Sequence, residues 1–75
     1  MNYSLIYYVG DDPADFHVIE GSATELRFTG GLLMSSVRVI RQCDLILNGR
    51  RVETCNARGH WNAAVNDPKQ EASET

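Results

Sequence analysis

From Tyr3 to Val9 every residue except Ser4 is apolar or aromatic, and Gly10-Asp11-Asp12-Pro13 ends the run with residues that favour a tight turn. This pattern predicts a strand over residues 3–9. Leu5, Tyr7 and Val9 fall on one side of it and Ile6 and Tyr8 on the other. Both sides should therefore meet something apolar, which places the strand in the middle of a sheet.

A second strand is expected over Phe16–Glu20, turning through Gly21-Ser22-Ala23 into a third over Thr24–Thr29. That register sets Phe16 against Phe28 and Val18 against Leu26 on one side, with Ile19 against Glu25 and His17 against Arg27 on the other. The same residues carry a competing signal. Ser22-x-x-Glu25 is a capping box and Gly30 suits the end of a helix, which would make residues 22–29 a helix of about two turns. Strand is favoured, because short isolated helices are marginal in water and Phe28 and Thr29 lean to extended backbone. Gly30-Gly31 reads as a break. Leu32–Gln42 then reads as a long, imperfectly alternating strand, bent near Ser35-Ser36 and folding back near Gln42-Cys43.

Residues 43–55 predict a β-hairpin, since Asn48-Gly49 between alternating apolar runs is a strong short-range signal for one. A two-residue turn in plain register would oppose Asp44 and Glu53, like charges that repel. A three-residue loop, Asn48 to Arg50, instead pairs Ile46 with Val52, Asp44 with Thr54 and Cys43 with Cys55. Beyond it, Asn56-Ala57-Arg58-Gly59 reads as loop, Trp61 as a residue able to dock on the sheet, and residues 61–66 as a second place for a short helix before Asp67-Pro68. The fold class expected is mainly β, with five to six short antiparallel strands in a small barrel or strongly twisted sheet. Residues 1–66 would form one domain and residues 67–75 a flexible acidic tail.

Length sharpens this picture. A chain of 75 residues buries only about 60% of its unfolded surface, so a second copy or a bound partner is expected to help complete the core. No apolar run approaches the roughly 20 residues that span a bilayer, and Met1–Val9 lacks the basic start and small-residue cleavage site of an export signal. A cytoplasmic protein without membrane association is expected. In that compartment Cys43 and Cys55 should be reduced.

Charge is segregated. Residues 1–30 carry five carboxylates against Arg27, residues 31–62 carry five arginines against Asp44 and Glu53, and the remainder adds two negative charges, which closes the sum at −3. Such segregation suggests a two-signed surface.

Candidate chemistry is sparse. Cys43, Cys55, His17 and His60 are of the types zinc prefers, but they lack ligand spacing, so no metal is expected. Cys55 and His60 could pair as nucleophile and base, with Asp44 or Asn62 as orienter, but nothing in their spacing fixes that geometry. Asp11, Asp12 and Asp15 lack the periodicity and glycine of a calcium loop, and Gly30-Gly31 lacks a phosphate-binding motif. The expectation is a non-enzyme without cofactor.

Binding is the remaining class. Arginine, tryptophan and tyrosine dominate interface hot spots, and the residues expected to contact a protein partner are Arg41, Arg50, Arg51, Arg58 and Trp61, together with Asp11, Asp12 and Asp15. A small accessory protein of a phage or other mobile element, inhibiting a larger host or defence complex, is the class this suggests. The alternative is a small β-barrel that binds single-stranded nucleic acid through an arginine-rich face, although the net negative charge opposes it.

Overall fold

A computed structural model describes residues 2–64. Five antiparallel strands form one open sheet, in the order β2-β1-β3-β4-β5: β1 Tyr3–Val9, β2 Phe16–Gly21, β3 Ile40–Leu47, β4 Arg50–Cys55 and β5 Trp61–Ala63. Among the described residues a single helix, α1 Ala23–Ser36, crosses one side of the sheet between β2 and β3. The mainly β class is as expected. The sheet does not close into a barrel, because β2 and β5 are its edges. The acidic tail over residues 67–75 lies outside the described residues.

β1 is central, flanked by β2 and β3. Its side chains alternate as expected, with Leu5 fully buried beneath α1 between Tyr3 and Tyr7. The core beneath α1 unites Leu5, Leu26, Cys43, Leu45 and Cys55, and Leu33, Met34, Val52 and Trp61 pack against it.

The stretch expected as a third strand is helix. Ser22 caps it: Ser22 Oγ accepts from the Glu25 amide at 3.2 Å, and the Glu25 carboxylate accepts from the Ser22 amide at 3.4 Å. Thr24–Thr29 therefore does not pair with Phe16–Glu20. β2 pairs with β1 instead, setting Phe16 opposite Tyr8 and Val18 opposite Ile6. The helix also continues through Gly30-Gly31, where a break was expected. A side chain at position 30 would place its Cβ 2.5 Å from Trp61 Cζ2 and 2.9 Å from Cys43 Sγ, so glycine is there to let α1 approach the sheet. Gly31 meets the Gly59 carbonyl in the same way, at 3.1 Å from where its Cβ would stand. The long strand over Leu32–Gln42 is consequently split: its first half finishes α1, and its end joins Cys43–Leu47 without folding back to make β3.

The hairpin forms around Asn48-Gly49 with a two-residue turn. Both residues have positive φ, 53° and 76°, the left-handed pair that matches strand twist. The three-residue loop and the Ile46–Val52 pair are not formed, since Ile46 faces Arg51 and Leu47 faces Arg50. A bulge at Val52 then shifts the register by one, restoring the expected Asp44–Thr54 and Cys43–Cys55 pairs. That bulge also resolves the repulsion that argued against the short turn. Glu53 lies opposite Leu45 on the helix side, where its carboxylate accepts from Arg27 Nε at 2.9 Å and Nη2 at 2.6 Å. The second site for a helix, residues 61–66, holds β5 at its start.

Candidate binding surface

α1 covers only one side of the sheet. Because successive side chains point to opposite faces, the burial of Leu5, Cys43 and Leu45 under the helix sends Ile6, Tyr8, Asp44 and Ile46 to the other side. Opposed residues of an antiparallel pair share a face, so Phe16 and Val18 of β2 and Arg51 and Thr54 of β4 join them. Phe16 and Val18 are about half exposed, at 48% and 52%. The expectation that both sides of β1 meet something apolar is met on the helix side alone among the described residues.

Asp44 occupies the middle of this face. It sits opposite Ile6 on one flank and Thr54 on the other and is only 3% exposed. Oδ2 accepts from Gln42 Nε2 at 2.8 Å and lies 3.8 Å from Arg51 Nη1, whereas Oδ1 has no hydrogen-bond partner. A buried acceptor left unpaired costs roughly 1–3 kcal/mol.

The acidic turn closes one end of the face. Gly10 takes a positive φ of 68°, Asp15 O accepts from the Val9 amide at 2.9 Å, and the Asp12 carboxylate caps the Ala14 amide at 2.9 Å. Arg41 reaches across from the start of β3, donating to Gly10 O at 3.2 Å and lying 3.6 Å from Asp11 Oδ1. Tyr8, Asp12, Pro13, Arg41 and Gln42 line a hollow of about 340 Å³ there. Asp15 stands 3.6 Å from His17, whose ring stacks on Tyr7 with centroids 5.2 Å apart.

Arg50 and Arg51 lie at the opposite end, beside the Asn48-Gly49 turn. Six residue steps along β3 separate the two ends, about 20 Å of extended chain. With Leu47, Val52 and Ala63 the two arginines border a second hollow, of about 460 Å³.

The remaining residues expected at a contact site lie on the helix side. Arg58 sits in the loop before β5 and borders a shallow groove with Phe28, Leu32 and Gly59. Trp61 is half-buried against α1, its indole Nε1 donating to Arg27 O at 2.8 Å. The structure thus brings Asp11, Asp12 and Arg41 together and sets Arg51 on the open face, whereas Asp15, opposite Val9, and Arg50, opposite Leu47, join Arg58 and Trp61 on the helix side. Sequence reasoning missed Ile6, Tyr8, Phe16 and Val18 as surface residues. Their alternation was visible, but which alternate set α1 would cover was not.

The facing thiols belong to the core. Cys43 and Cys55 are free and buried, and burial pushes the Cys43 thiol up to about 12 and the Cys55 thiol upward, which suppresses the reactive thiolate. No group of three or more metal-ligating side chains occurs among the described residues. No helix among them is long and apolar enough to cross a membrane.

Comparison with family models, curated proteins and solved structures finds no match for this chain.

Proposed function

We propose that this chain is a small non-catalytic protein-binding module whose contact surface is the sheet face turned away from α1. One observation carries the reading: aromatic and aliphatic side chains of β1 and β2, Ile6, Tyr8, Phe16 and Val18, lie on a face that no other described element covers. Charged groups flank them at both ends, an arrangement that suits an apolar interface centre with a polar rim. The partner fitting this strip has an apolar patch with basic groups toward Asp11 and Asp12 and an acidic group toward Arg51. In its specific form the proposal is an accessory protein of a phage or mobile element that occludes a larger host or defence complex.

The test is capture of the partner with the intact chain as bait, followed by calorimetric titration. Tyr8→Ala and Phe16→Ala should each weaken binding by about ten-fold, the effect of an interface anchor. Arg50→Ala with Arg51→Ala should weaken it less and flatten its salt dependence. Full affinity in both aromatic variants would remove this face from the mechanism.

Single-strand nucleic acid binding has less support. Arg27, Arg41 and Arg51 each lie within 4 Å of a carboxylate, which offsets the charge a phosphate would meet. Fluorescence anisotropy with labelled RNA or DNA at low salt decides between the two readings.

A further inference from the structure

We infer that two copies of this chain join edge to edge through β2, so that two five-stranded sheets become one continuous sheet. Asp15 O accepts from the Val9 amide in the same register that runs unbroken through β1 and β2. Hydrogen-bonded and non-hydrogen-bonded pairs alternate along an antiparallel ladder. Tyr7–His17, Leu5–Ile19 and Tyr3–Gly21 are therefore the bonded pairs, and the main chains of Phe16, Val18 and Glu20 face away from β1. Their N–H and C=O groups form a free edge among the described residues.

That edge is complementary to itself. A second copy rotated about a two-fold axis at Val18 sets Val18 opposite Val18 and Phe16 opposite Glu20 in both directions, so every outward group of the three residues finds a mate. Centring the axis on His17 or Ile19 instead leaves Glu20 or Phe16 outside the pairing. Charge agrees with the Val18 register. Glu20 meets Phe16, His17 meets Ile19 and Asp15 meets Gly21, so no carboxylate opposes another.

Apart from Glu20, the strand lacks the devices that keep an edge apart. β2 contains no lysine, proline or bulge, and all of it except Gly21 is exposed. The opposite edge, β5, is only three residues long. Joining two copies at β2 brings both sets of Phe16 and Val18 side by side and doubles the face proposed above for a partner. The inference rests on the main-chain edge, so the protein-binding reading stands or falls separately from it.

Sedimentation equilibrium of the chain from about 10 μM to about 1 mM, a range that spans weak interfaces, tests it. The expected mass rises from 8.4 kDa toward twice that value and no further. Amide exchange of Phe16, Val18 and Glu20 should slow as concentration rises. Val18→Pro removes only an outward N–H and leaves the β1–β2 ladder its donors, while Val18→Lys sets two like charges at the axis. Both variants should stay at 8.4 kDa with unchanged far-ultraviolet circular dichroism, and V18K carries the test if V18P unfolds. A wild-type chain that remains at 8.4 kDa throughout, one that grows beyond twice that mass, or a V18K variant that associates as the wild type does would each overturn the inference.

Discussion

The indole of Trp61 donates to the main-chain oxygen of Arg27 at 2.8 Å, tying the last strand to the helix across 34 residues of sequence. The same Arg27 holds Glu53 of β4 through its side chain, so one helical residue anchors two neighbouring strands. Trp61→Phe keeps most of the ring's packing and loses the hydrogen bond. It should cost about 1 kcal/mol in urea denaturation. Trp61→Ala should cost more, roughly 2–3 kcal/mol, because the space beside Gly30 is left unfilled.

Gly30→Ala is expected to destabilise the protein although alanine is the better helix former. The gain from helix propensity is at most about 1 kcal/mol, whereas the new methyl would stand 2.5 Å from Trp61 Cζ2 and 2.9 Å from Cys43 Sγ. Such overpacking typically costs about 1–3 kcal/mol, so thermal denaturation should show a lowered midpoint. A midpoint that rises would mean α1 lies farther from β5 than described.

The Cys43 thiol, pushed up to about 12 by burial, sets a pH dependence. Its folded value exceeds its unfolded one, so the stabilisation is complete below the ordinary thiol value and is lost as pH climbs toward about 12. Stability should accordingly fall between about pH 9 and pH 12, and less steeply in a Cys43→Ala variant. At pH 8 iodoacetamide should label Cys43 and Cys55 only as fast as the chain opens, which mass spectrometry with and without urea would show.

Replacing Asp44 should leave the domain at least as stable. Asp44→Val removes a buried acceptor whose Oδ1 is unpaired and places a β-branched side chain in a central strand. Stability should hold or rise by about 1 kcal/mol. A clear loss would show that the Gln42 and Arg51 contacts outweigh the orphaned oxygen.

At the hairpin tip, Gly49→Ala should cost roughly 1 kcal/mol, because φ of 76° is left-handed. Arg50→Ala, at an exposed position, should stay within about 0.5 kcal/mol. Chemical denaturation of the two variants side by side checks both.

What the sequence revealed depended on how local the cause was. β1 and the Asn48-Gly49 turn could be read because their signals, an apolar run stopped by Gly10 and a dipeptide suited to left-handed backbone, lie within a few residues. The helix was only half legible. Ser22 and Glu25 marked its start, but its passage through Gly30-Gly31 depends on Trp61, some thirty residues downstream. The hairpin register was right at Asp44 and Cys43 for a mistaken reason, since a bulge at Val52 does what the longer loop was invoked to do. For the candidate site, the charged residues at both ends were picked out from composition. The apolar strip between them was not, because which side of β1 is covered depends on where α1 packs.

The bulge at Val52 acts as a parity switch for everything that follows it. Deleting that one residue would leave the turn intact and keep Glu53 opposite Leu45, Thr54 opposite Asp44 and Cys55 opposite Cys43, because Val52 is the residue without a partner on β3; pressing the bulge flat with Val52 retained would instead turn Cys55 outward. The strand therefore holds a spare residue, and losing it should cost the domain little beyond the packing of one half-buried aliphatic side chain.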